Sequence, residues 1–232
     1  MANNATNVWR WTGAISTAWR TAGNWTDGMD GAVDDFPDAA EDTVMLRNSA
    51  VNAMAACASA TTVGTITKGS AYAGACCVAN LTATTVTATS GTSGTVTGGT
   101  IDTLNAGSDT AVSGCTITTA NLSGTATFIS GNTITLNISE AAQNIGGTVT
   151  GVATINSTAV QYGTWGTDIV CNGDTTFDGN NTFAAGGTAI KPKKRDTKVL
   201  FAFGADAHTW TNTPTIQYSG APYSKLWMDG HS

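Results

Sequence analysis

The chain has 232 residues, enough for one sizeable domain with appendages or for two small ones. Only 11% of the residues are charged while 41% are hydrophobic, so Thr, Gly, Ser and Asn fill the polar share; this is not the composition of charged disorder, and it indicates a regular fold with a neutral, hydroxyl-rich surface. A net charge of −6 argues against nucleic acid as a partner, because phosphate binding needs clustered Lys and Arg, and no apolar run approaches the ~18 residues that span a bilayer.

Composition divides the chain into a Trp-rich head (1–55), a Thr/Gly/Ala-rich middle (56–190) and an aromatic tail (191–232). The head holds Trp9, Trp11, Trp19 and Trp25, four of the seven Trp, and seven of the sixteen acids. Its first residues, "MANNATNVWRWTG", lack the basic and apolar regions of a secretion signal, which predicts a protein made and kept in a cytoplasm until it assembles. Cys57, Cys76, Cys77, Cys115 and Cys171 are odd in number and show neither paired CxxC spacing nor a nearby His. They are expected to be reduced, buried small hydrophobes rather than a disulfide frame or a zinc site.

Internal repetition governs the middle. Thr followed by Ile or Val recurs at 65/66, 85/86, 100/101, 116/117, 133/134 and 148/149, with spacings of 20, 15, 16, 17 and 15. A period near 17 with short alternating strands and Gly or Asn at the corners predicts an all-β fold, a β-solenoid of short coils of about 15–20 residues. In "TITLNIS" (133–139), alternation places Ile134, Leu136 and Ile138 inside and Thr133, Thr135, Asn137 and Ser139 outside. At ~3.3 Å per residue such a coil has a contour of ~55 Å, and about seven coils stand about 35 Å tall. Stacked coils also explain the missing charge: equivalent side chains pile on one another, so a like charge repeated in every coil would repel along the stack. Between Lys68 and Lys191 there is no Lys or Arg. A thin core leaves two open edges, which bulky ends would cap and trimerisation would protect.

Chemistry-bearing groups are sparse. Glycosidic cleavage needs two carboxyls about 5–10 Å apart; the middle offers Asp102, Asp109, Glu140, Asp168, Asp174 and Asp178, with no Arg, Lys or His expected beside them, and corner capping accounts for them better. The stretch "CNGDTTFDGNN" (171–181) has Asp and Asn spacings that could bind calcium, but it lacks the EF-hand pattern and reads as turn chemistry. "KPKKR" (191–195) reads as a solvated linker. The tail carries Trp210, Tyr218, Tyr223 and Trp227, and its two histidines, His208 and His231, lie near Asp206 and Asp229 but read as exposed residues rather than metal ligands. No catalytic residue, metal or cofactor is assigned.

The head reduces to W-x-W-x-G (Trp9, Trp11, Gly13), then W-x-x-x-x-N-W (Trp19, Asn24, Trp25), then P-x-x-x-x-D-x-V (Pro37, Asp42, Val44). This pattern resembles the opening segment of Thr/Ala/Gly-rich β-helices in bacterial surface proteins and in the virion proteins of tailed bacteriophages. The lack of a secretion signal and of a C-terminal anchor motif favours the phage group, and Asp42–Leu46 is expected to begin the ladder. The resemblance implies a non-enzymatic virion structural protein: a homotrimer that decorates or cements the capsid surface by binding the major capsid protein, without nucleic acid or membrane. Trp9, Trp11, Trp19 and Trp25 are then the candidate docking or capping residues, and Trp210, Tyr223 and Trp227 the distal surface. Two alternatives stand beside it, a tail or head fibre that contacts host surface glycans and an ice-binding solenoid built on its Thr-x-Thr pairs.

Overall fold

A computed structural model describes residues 8–26, 36–46, 50, 52–55, 57–70, 72, 74–89, 94–194, 197–203, 212, 214–217 and 225–230, with backbone alone at 178–180, 203 and 225–230. It is a β-solenoid of about seven turns, 58% strand and 2% helical. The chain divides into two compact units, residues 1–118 and 119–232.

In the first unit, strand Val8–Trp11 pairs in parallel with Thr43–Leu46, Trp9 opposite Val44 and Trp11 opposite Leu46. The ladder therefore begins one coil earlier than Asp42–Leu46, and two of the head indoles occupy the first interior rank. Thr43–Leu46 continues onto Thr61–Lys68, Leu81–Ala88 and Thr100–Ala106. One interior rank runs Trp9, Val44, Ile66, Val86, Leu104, and each member is buried. A second sheet stacks Cys76–Cys77, Gly94–Thr97 and Thr110–Ser113. The starting edge is blunt: Val8–Trp11 is covered by the two-residue antiparallel strand Trp25–Thr26, and an edge this short gives another chain little to pair with.

In the second unit, Gly131–Glu140 pairs with Thr148–Ser157. The latter divides its pairing between Gln161–Trp165 and Asp168–Cys171. Beyond them the strands Thr175–Phe183, Lys198–Phe203 and Lys225–Gly230 follow on one path, and Ala189–Pro192 and Thr215–Ile216 on the other. Coils lengthen along this unit: Asn132 to Thr148 is one turn of 16 residues, and Lys198 to Lys225 is one of 27. Core side chains grow with them, from Leu136 and Ala153 to Trp165, Phe177, Phe183 and Phe201, with Phe177 stacked on Phe201 at 5.5 Å.

Several long strands turn a corner, marked by two successive outward residues. Leu81–Ala88 buries residues 81, 83, 86 and 88, leaving Thr84 and Thr85 both outward; Cys115–Leu122 repeats the pattern with Thr118 and Thr119. The corner splits the Thr-aliphatic pairs into two sets. Ile66 and Val86 follow the corner and stack on each other, but Val86 then stacks on Leu104, while Ile101 precedes the corner and stacks on Ala83. The spacing of 15 between Val86 and Ile101 therefore joins two different ranks; the true step is 18, from Val86 to Leu104.

Simple alternation fails in Gly131–Glu140 for the same reason. Thr133 is buried and Ile134 is 54% exposed, while Leu136 and Ile138 point inward as expected. The outward pair is Ile134 and Thr135, as Thr118 and Thr119 are in Cys115–Leu122; the register shift between Thr133 and Thr135 places its extra residue in the next coil, where Thr150, Gly151 and Val152 all face outward, the mark of a bulge in that strand. Thr133 meets its polar need locally, its hydroxyl donating to the Thr135 carbonyl at 2.8 Å.

Candidate functional site

The head indoles form the densest aromatic cluster of the first unit. Trp25 lies edge-on to Trp11 and to Trp19, with ring centroids 4.9 and 4.7 Å apart and planes at 70°, the geometry that matches ring edge to ring face. All four indoles are at most 1% exposed. Each indole N–H is spoken for: Trp9 donates to Asp42 Oδ1 at 3.0 Å, Trp11 to the Asn52 carbonyl, Trp19 to the Pro37 carbonyl and Trp25 to the Trp19 carbonyl. Their geometry is that of a cap over the first coil, and the rings themselves offer a partner no surface.

Two polar residues hold this cap. Asp42, 1% exposed, accepts the Trp9 indole on Oδ1 and the Asp38 and Ala39 amides, both at 2.9 Å, on Oδ2. Asn24, also fully buried, accepts the Ile15 and Ser16 amides on Oδ1 and donates through Nδ2 to Ser16 Oγ and the Ala18 carbonyl. Asn24 thus fixes the loop that carries Ile15, the one large aliphatic of the first unit exposed among the described residues, at 68%. The W-x-x-x-x-N-W spacing contained that hub, but nothing in the string marks the Asn as interior.

Of the proposed distal set, Trp210 and Tyr223 lie outside the described residues, as do His208, His231 and Asp206. Trp227 falls in Lys225–Gly230, opposite Leu200, with its side chain outside the described atoms, as is that of Asp229.

The acids of the middle are dispersed. Asp102 is exposed at a corner; Glu140 accepts the Gly124 amide at 2.5 Å; Asp174 accepts the Lys198 amide at 2.8 Å. Against the expectation that no Lys accompanies these acids, Asp168 pairs with Lys191 at 2.8 Å, because the ladder lays Ala189–Pro192 alongside Asp168–Cys171. Lys191 and Pro192 belong to the strand Ala189–Pro192, so the basic cluster is not wholly a linker: ladder pairing carries its first two residues, and Lys193 and Lys194 face solvent. The stretch 171–181 is likewise a turn only briefly, since Thr175–Phe183 is a strand. Among the described residues no three of His, Cys, Asp and Glu converge as metal ligands, and no helix is long and apolar enough to cross a membrane.

The five cysteines are free, four of them buried and Cys77 partly exposed. Burial pushes the Cys76 and Cys115 thiols up to about 12 and Cys171 to about 11, because a thiolate there would lose its hydration. Lys68 sits in the interior rank opposite Leu46, 3% exposed, with Nζ 6.0 Å from the centre of the Tyr72 ring; burial lowers its pKa.

On the outer face of the first unit the hydroxyls are in register. Thr43, Thr65, Thr85 and Thr103 form one outward rank, and Thr67, Thr87 and Asn105 lie two residues along. Coil length varies, yet loops between the strands absorb the difference and the rank stays aligned. In the second unit the corresponding Asn137 donates to Asn121 Oδ1 at 2.8 Å, an amide ladder.

No family model matches the sequence, and no curated protein or solved structure is similar to it.

Proposed function

We propose that the chain is a non-enzymatic structural protein of a phage virion, a decoration or cement protein that binds the capsid shell as a trimer. The observation that carries this reading is the combination of a weakly charged, hydroxyl-faced solenoid with a starting end sealed by buried indoles; such a molecule is built to persist and to be displayed. Docking at that end would fall to the loop held by Asn24 and its exposed Ile15 rather than to Trp9, Trp11, Trp19 or Trp25, which act by making the loop rigid. A preorganised apolar contact loses little entropy on binding. The test is co-sedimentation of purified protein with assembled empty phage shells. Wild-type protein should pellet with the shells, and Ile15→Ser, which leaves the buried cluster untouched, should weaken that binding at least tenfold. Wild-type protein that stays in the supernatant at every shell concentration overturns the reading.

A second reading is favoured by one specific observation, the aligned rank Thr65, Thr85, Thr103 with Thr67 and Thr87 beside it. Regularly spaced hydroxyls and methyls on a flat β-face suit an ordered water lattice. Ice binding predicts thermal hysteresis that Thr85→Lys abolishes; no hysteresis at millimolar protein excludes it.

A further inference from the structure

The second unit exposes aliphatic side chains where the fold does not require them. Ile129, Ile134, Ile145 and Val152 are each more than a third exposed, and all lie within two successive coils. They fall into two neighbouring pairs, one stacked and one diagonal. Phe128 registers with Asn144 and the Ile145 amide donates to the Phe128 carbonyl, which places Ile145 against Ile129 of the preceding coil. Thr135 registers with Val152, and Ile134 lies against Gly151, the residue before it.

The repeat itself shows what is unusual here. The first outward position of the corner is Thr84, Asp102 and Thr118 in preceding coils, and Ile134 in this one. Thr and Asp satisfy that outward position in the coils before it, so the aliphatic is not demanded by the local backbone. Meanwhile the interior takes Thr133 in its place. Ile134 and Val152 belong to the large sheet and Ile129 and Ile145 follow strands of the smaller one; aliphatics exposed in two successive coils, where the coils before them expose Thr and Asp, mark a contact site.

Charge decides what covers it. Between Asp109 and Asp168 the chain carries a single charged residue, Glu140, and its carboxylate is engaged with the Gly124 amide. A strongly charged partner would lose hydration against this face and gain no opposite charge. A symmetric contact between identical chains must instead be self-complementary, and a neutral face of aliphatics, Thr and Asn meets that condition where a charged face would repel its own copy.

We propose that the Ile134/Val152 and Ile129/Ile145 pairs form the surface through which copies of this chain pack against one another. This rests on the oligomeric part of the virion reading and gives it an interface. The test compares the mass of wild-type protein in solution with that of Ile134→Thr/Val152→Thr and Ile129→Thr/Ile145→Thr, by light scattering over a concentration series. The first variant restores the Thr found at these positions in other coils, and both keep a β-branched residue at an outward site, so urea unfolding should be unchanged or slightly stabilised. The expected result is a wild-type oligomer, a multiple of 23.5 kDa, whose dissociation constant rises at least tenfold in either variant. An oligomer unaffected by both variants overturns this interface and leaves shell binding intact. A wild-type monomer at all concentrations overturns self-association, and shell co-sedimentation of that monomer then judges the decoration reading separately.

Discussion

Asp42→Ala removes the acceptors of one buried donor, the Trp9 indole, and of two part-buried ones, the Asp38 and Ala39 amides. A buried donor left unsatisfied costs about 1–3 kcal/mol, and the charged acceptor makes these bonds stronger than average. Water reaches the part-buried amides and relieves part of their loss, so about 3 kcal/mol is expected, a large share of a typical domain stability of about 5–15 kcal/mol. Asp42→Asn keeps the volume and one acceptor oxygen and should cost about 2 kcal/mol. Trp9→Phe leaves Oδ1 without its indole partner, a penalty that disappears in the Asp42→Ala background, so the double-mutant cycle should show coupling of at least about 1 kcal/mol. Urea unfolding followed by circular dichroism measures all four proteins. An Asp42→Ala protein within about 1 kcal/mol of wild type, at unchanged slope, would show that the carboxylate is not the clamp described.

Two further outcomes follow from the interior. The buried thiols hold their protons to about pH 11–12 in the folded chain but only to about 9 when it unfolds. The unfolded state therefore binds fewer protons between those values and stability falls as pH rises through that window. At pH 10 each thiol costs about 1.4 kcal/mol relative to neutral pH, about 4 kcal/mol for Cys76, Cys115 and Cys171 together; Tyr72, raised by burial, acts in the same direction and Lys68, lowered by burial, opposes. Urea midpoints under reducing conditions at pH 8 and pH 10 check this, and equal midpoints refute it. Gly147 packs against the buried Phe128 ring so closely that a Cβ would collide with it, so Gly147→Ala should cost about 1–3 kcal/mol by overpacking. Gly186→Ala, with open space around the site, is the control, and equal stability of the two variants would contradict the packing described.

The repeat was legible because a parallel stack imposes the same environment on every coil, and the string of Thr and aliphatic residues reflects that. The corner was not legible. Thr84 and Thr85, or Ile134 and Thr135, look like members of a simple alternation, and only the pairing of neighbouring coils shows that both face out. The buried cap was half legible: Trp-rich segments suggest either a cap or a docking surface, and which one depends on whether carbonyls such as those of Asn52 and Pro37 arrive to take the indole N–H groups. Those residues are separated from their partners by 41 and 18 positions, and no local pattern encodes the meeting.

Composition and period by themselves determined the class of fold, the low charge of the stack and the reduced state expected of its cysteines, since each follows from constraints repeated along the chain. Tertiary structure alone decided the register, the exposure of Ile134 over Thr133, the interior position of Lys68 and the sealing of the indoles. The physical reason is that a parallel ladder fixes spacing only modulo the loops between strands, and one extra residue at a corner exchanges inside for outside without altering the composition at all.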